Sequence, residues 1–455
     1  MFDFQATGMK NCLMTPIPPE LVLEILTYIS GCRDNLRACC LVCRVWRRLA
    51  QPFIFSELSL SLESHCHPWN RKFATYPHLA QYVTHLNLWG GNWVGVDIVC
   101  EDQPPFLEGP ATLELLHRLP NIKYLKMNDF FLPSEREVEV LCHFTRLEWL
   151  EMYEVTFSDT ADLLDLVSQS VNLEVLRIAD IHISHTSEDL ILHDHVDAVP
   201  KRLRNLRLHD PTESLYIFSW LSGGAFDLSD LTDLTLSWES FRKNYTPSPP
   251  LSSYIVPFIS IVGSGIKHLR LNIATVEDER ELRANYMLEH FISTRALSSF
   301  TALETLNVDP INRVNQNDAR HLVDIERLLH HFTLPCLRKV CVTTRFTLNT
   351  VDDLPSYKKL PIWTNLDGLL ASTKFPSLRH LLLLIEVKSI HWDARRFEES
   401  DDEAPSVVIP PLIARDPWPE HPPTVDDIAA MIAEQMPTLA SRGCLTIRRS
   451  VISRL

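Results

Sequence analysis

One short pattern, apolar-x-x-apolar-x-apolar, returns ten times and constrains the fold more than any other feature. It reads VTHLNL from Val83, IKYLKM from Ile122, LEWLEM from Leu147, LEVLRI from Leu173 and LRNLRL from Leu203. It continues as LTDLTL from Leu231, IKHLRL from Ile266, LETLNV from Leu303, LRKVCV from Leu337 and LRHLLL from Leu378. CLTIRR, around Leu445, is a weaker eleventh. Each copy predicts a short strand whose alternate residues point inward. Helix-like segments lie between copies, among them TLELLHRL from Thr112, TADLLDLVSQS from Thr160 and DARHLVDIERLLHHF from Asp318. A strand and a helix restarted this often predict a solenoid over a twisted, non-repeating α/β sheet.

The alternation resembles leucine-rich repeats, which implies an α/β chain of about ten strand–helix units with parallel strands on a concave face. The copies start 39, 25, 26, 30, 28, 35, 37, 34 and 41 residues apart, mostly beyond the usual spacing of about 20–29. The asparagine or cysteine of that family, three residues past the last apolar position, is replaced by Gly91, Phe130, Val155, Ile181, Pro211, Glu239, Ala274, Ile311, Arg345 and Glu386. An irregular solenoid over 59–455 is therefore expected. Within it, 388–423 reads as an acidic and proline-rich loop: EESDDE from Glu398, then seven prolines in twenty residues. A second proline loop, TPSPP, starts at Thr246. Ser400 resembles a site for an acid-directed kinase, against the simpler reading of a solvated loop. A closing helix is expected around Val425 to Gln435.

The opening differs. After a flexible 1–16, IPPELVLEILTYISGCRDNLRACCLVCRVWRRLA predicts three short helices. Pro18 and Pro19 suit a first turn. Leu21, Val22, Ile25, Leu26 and Ile29 recur with helical spacing. Gly31 is the expected stop, Asp34 the cap of the second helix, and Pro52 the stop of the third. Three helices this short bury little surface and need a partner. PPELVLEIL followed by LRACCLVCRVWRRLA and PFIF resembles the F-box, in the form common in fungal F-box proteins with degenerate leucine-rich repeats, over 17–58. The resemblance implies docking on the Skp adaptor of an SCF ubiquitin ligase, with its cullin and RING subunit, through Pro18, Leu21, Ile25, Leu26, Val42 and Trp46.

Charge fits such a module. Ile17–Ile54 holds five arginines against Glu20, Glu24 and Asp34, so +2 on a chain of net charge −15. A basic knot suits an acidic partner, while the overall acidity argues against nucleic acid. The opening MFDFQATGMKNC lacks the two parts of a signal segment, and no run of eighteen apolar residues occurs. Eleven cysteines then read as reduced thiols, and the expected location is cytoplasmic, nuclear or both.

Little in the chain points to catalysis. Glycine-rich phosphate loops, G-x-S-x-G and H-E-x-x-H are all missing. The C-x-x-C of Cys40 and Cys43 has no second pair to complete a zinc site, so packing is the better reading. His182, His185, His193 and His195, near Asp189, Asp194 and Asp197, read as solvated loop residues, with a metal site as the alternative. No cofactor or metal is expected.

The expected role is a non-catalytic adaptor that presents a substrate on its repeats; the alternative is a repeat scaffold acting outside a cullin ligase. The middle residue of each x-L-x-L should face the partner: Asn87, Lys126, Glu151, Arg177, Arg207, Thr235, Arg270, Asn307, Cys341 and Leu382. Neighbouring positions add Trp89, Tyr124, Trp149, Tyr153, His209 and His268. The substrate-binding candidates are Trp89, Tyr124, Lys126, Trp149, Tyr153, Arg177, Arg207, His209 and Arg270. Aromatic and arginine anchors of this kind suit an acidic or phosphorylated segment.

Overall fold

A computed structural model describes residues 17–90, 106–132, 135–185, 201–209, 215–223, 226–238, 252–274, 292–311, 319–332, 334–347, 357–388 and 424–449. The expectations for 1–16, the TPSPP loop, Ser400 and 389–423 lie outside these residues. The chain divides into two compact units, 1–130 with 134–147 and 131–133 with 148–455.

The first unit opens with α1 (Pro19–Tyr28), α2 (Arg33–Val42) and α3 (Arg44–Ile54). Val22, Leu26, Leu36 and Ala50 form their core, and Ile29, Cys39, Cys40, Trp46, Leu49, Phe53 and Ile54 pack around it. Two sequence expectations are corrected. Asp34 lies inside the first turn of α2, whose cap is Cys32 with no side-chain bond. Pro52 does not stop α3, which runs on to Ile54. A proline loses one hydrogen bond, while Phe53 and Ile54 in the last turn are partly buried against the core.

A helix α4 (Glu63–Thr75) and strands β1 (Glu57–Leu60), β2 (His85–Trp89) and β3 (Tyr124–Leu132) follow. The three strands pair in parallel, with Leu86 opposite Leu58 and Leu125. Trp69 of α4 meets Phe55 edge to face at 6.3 Å. The three-helix stretch and the first strands lie within one compact unit. A core of four enclosed side chains is too small to stand alone. Gly90 follows β2 where a Cβ would lie 1.8 Å from the Asp129 carbonyl oxygen, so only glycine fits this approach.

The second unit contains β4 (Trp149–Asp159), β5 (Val175–Ala179), β6 (His182–His185), β7 (Lys201–Arg202), β8 (Asn205–His209), β9 (Phe226–Asp227) and β10 (Asp233–Trp238). Then come β11 (His268–Ala274), β12 (Thr305–Ile311), β13 (Lys339–Thr347), β14 (His380–Lys388) and β15 (Leu445–Arg449). The parallel order β4-β5-β8-β10-β11-β12-β13-β14-β15 follows the chain, with β6 beside β4 and β7 paired to β9. Helices such as Thr160–Gln169, Ser252–Val262 and Ala319–His330 return the chain between strands. This is a solenoid-like arrangement.

Register explains its regularity. Leu150, Leu176, Leu206, Leu234, Leu269, Leu306, Val340 and Leu381 stand opposite one another in a continuous buried row. Several strands begin the same way, with two successive N–H groups donating to one carbonyl at the entry of the strand before: Arg204 and Asn205 to Glu174, Thr232 and Asp233 to Arg204, Lys267 and His268 to Thr232. In place of the missing polar ladder, Val155 and Ile181 are buried. The residues before them, Glu154 inside β4 and Asp180 just after β5, take left-handed φ of 53° and 51°. At these two positions a left-handed residue followed by a buried apolar one stands where the asparagine would be. The closing helix is Val425–Gln435, with a capping box between Thr424 and Asp427.

Candidate functional site

In the first unit, the candidate site is the outer side of α1 and α2. Core packing takes Val22 and Leu26, four residues apart on one side of α1. It leaves Leu21 50% and Ile25 41% exposed, also four apart on the other side. At the end of α2 and the start of α3, Leu41 (81%), Val42 (64%) and Val45 are exposed as well. Pro18 is exposed beside it. Leu26 is corrected: an enclosed side chain offers no surface to a partner. Trp46 is half-buried and packs on the same core. Leu41 and Val45 escaped sequence reading because each looks like one more core residue; only the packing shows them outside.

Next to these helices, Arg33, Arg37, Arg47, Lys72, Phe55 and Trp69 help line a cleft of about 400 Å3. Its cations are engaged locally. Arg37 pairs with Asp34 at 3.0 Å, Arg47 donates to the Cys40 carbonyl at 3.3 Å, and Lys72 lies 4.2 Å over Trp69. Cys40 sits among packing residues, and burial raises its thiol pKa. Among the described residues no group of three metal-ligating side chains assembles. His182 and His185 end up on β6, while His193 and His195 lie outside those residues. No described helix is long and apolar enough to cross a membrane.

Trp89, Tyr124 and Lys126 also belong to the first unit. Trp89 is exposed at the end of β2, opposite Asn128, and Lys126 stands opposite Asn87. Tyr124 stacks on His85 at 5.4 Å.

In the second unit the expected ladder forms as read. Register places Glu151, Arg177, Arg207, Thr235, Arg270, Asn307, Cys341 and Leu382 side by side. Glu151 organises one end. It is only 3% exposed, and its carboxylate accepts from the Tyr153 hydroxyl at 2.5 Å, Trp149 Nε1 at 3.2 Å and Arg177 at 3.5 Å. The Arg177 guanidinium also lies 4.3 Å over the Trp149 ring, a cation–π contact. Burial, then the bond to Glu151, pushes the Tyr153 phenol pKa up to about 12. Further along the row, Arg270 forks onto Asp309 at 2.6 and 2.7 Å, and Thr343 donates to the same carboxylate. Asp309 was not a sequence candidate, although it lies two residues past Asn307 on one strand face.

Arg207 stands between these pairs, next to Arg177 in register. Burial first, then Arg177 and Arg270, lower its pKa. His209 lies two residues on, opposite Ala179 and Ser237. Arg177, Arg207 and Arg270 are thus one row but not three equivalent anchors.

No curated protein matches the chain. The F-box-like family matches residues 15–61, which encloses α1 to α3 and β1 with their exposed apolar side. An F-box domain indicates binding to a Skp-type adaptor. Residues 15–61 of this chain are an F-box-like domain.

Proposed function

We propose that this chain is a non-catalytic substrate receptor of an SCF ubiquitin ligase. Its F-box-like helices dock on the Skp adaptor, which links them to cullin and RING subunit. Its parallel strands, read as degenerate leucine-rich repeats, present the substrate. The ligase chemistry then belongs to the other subunits. The observation that carries this reading is the apolar side of α1 and α2. Leu21, Ile25, Leu41 and Val42 are left outside a core already complete without them, as an interface centre requires.

The test is affinity purification of the full chain and of Ile25→Asp. The parent should recover adaptor, cullin and RING subunit together. Ile25→Asp should lose all three while its melting temperature stays within a few degrees, since an exposed site tolerates a carboxylate but a desolvated interface does not. Adaptor retained by the variant overturns the docking face. Adaptor recovered without cullin supports a scaffold outside the ligase instead.

A further inference from the structure

Three guanidinium groups share the strand-face row of the second unit, and two have carboxylates. Arg177 has Glu151, which Trp149 and Tyr153 also hold, and Arg270 has Asp309. Arg207 has neither a hydrogen bond nor an ion pair among the described residues, and its Nε is buried without a partner. Its neighbours in register are Arg177 and Thr235. Asp233, one position back along the next strand face, accepts from the Thr232 hydroxyl at 2.6 Å.

A partly buried guanidinium facing like charges at Arg177 and Arg270 costs stability, and Glu151, the carboxylate of the row that attracts it, is already held by Tyr153, Trp149 and Arg177. An apolar side chain of similar length would pack there at less cost. We propose that Arg207 anchors a carboxylate from an extended segment of the partner protein, on the same sheet read above as the substrate surface. Charge selects the ligand. Two of three guanidinium groups are matched, so one positive charge remains; a carboxylate neutralises it, whereas a phosphate dianion brings excess negative charge towards Glu151 and Asp309. The planar fork of arginine suits both carboxylate oxygens. Trp149 and Tyr153 lie two strands away, about 10 Å at the usual strand spacing, within reach of an apolar side chain on the same segment.

The test uses the full chain bound to its Skp adaptor. Fluorescein-labelled (Glu-Ala)4 is titrated by anisotropy against the matched glutamine and phosphoserine peptides, with parent, Arg207→Met and Arg207→Lys. The glutamate peptide should bind the parent at least about tenfold tighter than the glutamine peptide. Arg207→Met should abolish that preference, and Arg207→Lys should restore it only in part, since charge returns without the fork. Arg207→Met should also raise the melting temperature, because it removes repulsion from Arg177 and Arg270. A preference that survives Arg207→Met, a lower melting temperature, or tenfold tighter phosphoserine binding each overturns the proposal. With the adaptor still bound, these results sink the carboxylate anchor alone; failure of the parent to bind adaptor sinks the receptor reading itself.

Discussion

Glu151 is almost enclosed, and Tyr153, Trp149 and Arg177 all donate to it. A buried carboxylate is costly unless its oxygens are satisfied, and these three donors supply that, fixing the aromatic end of the row. Tyr153 provides a pH test. Its phenol keeps its proton to about pH 12 when folded, against about 10 in an unfolded chain. The raised value means that its stabilising contribution is complete below about pH 10 and lost as pH rises towards 12. Denaturant midpoints taken across that window should fall more steeply for the parent than for Tyr153→Phe. Parallel slopes would show that the bond to Glu151 contributes nothing. Leu26 gives a second test. Leu26→Ala should cost about 2–5 kcal/mol of stability, as for other enclosed leucines, whereas Leu21→Ala should leave the melting temperature nearly unchanged and weaken adaptor capture. Equal destabilisation by both would contradict the division of α1 into inner and outer sides.

Secondary-structure elements are held in place by a few long-range polar contacts as well as by leucine rows. Asp367, buried in the helix Ile362–Leu370, accepts the backbone N–H groups of Thr438 at 3.0 Å and Leu439 at 2.8 Å. It therefore caps the short helix Pro437–Ser441 that leads into β15. Removing the carboxylate leaves two donors without their acceptor. Asp367→Ala should cost about 1–3 kcal/mol, and hydrogen exchange should speed up first at Thr438, Leu439 and β15. Unchanged exchange there would mean that β15 is held by its pairing with β14 alone. Surface pairs between strand entries, Arg204–Glu174 and Arg338–Glu304 at 3.4 Å each, are exposed and add far less.

Over the whole molecule, charge is unevenly distributed: +2 on Ile17–Ile54 and −17 on the rest. A basic stretch attracts an acidic partner chiefly through the encounter rate, and that attraction is screened within about 10 Å at 0.1 M salt. Stopped-flow association with the Skp adaptor should slow as salt rises from 0.05 to 0.5 M, while dissociation, governed by the apolar side of α1 and α2, changes little. A salt-independent association rate would remove charge from the account.

The strands were legible because a period of two leaves one spacing for leucines that must reach a core, and ten copies make the register predictable. That same period predicts Arg177, Arg207 and Arg270 in one row. The three-helix stretch was legible by resemblance, and its extent agrees with 15–61. Which residues face where in α1 was not. Leu21 with Ile25 and Val22 with Leu26 are two equally apolar pairs at the same helical spacing, and only the position of Leu36 and Ala50 decides which pair is enclosed. The fate of the arginines was equally hidden. Glu151 and Asp309 come from strands distant in sequence, and their capture of Arg177 and Arg270 is a consequence of strand pairing. Local patterning determines which residues alternate; the partners they meet are decided when the strands come into register, because charge compensation depends on distance across the sheet and not along the chain.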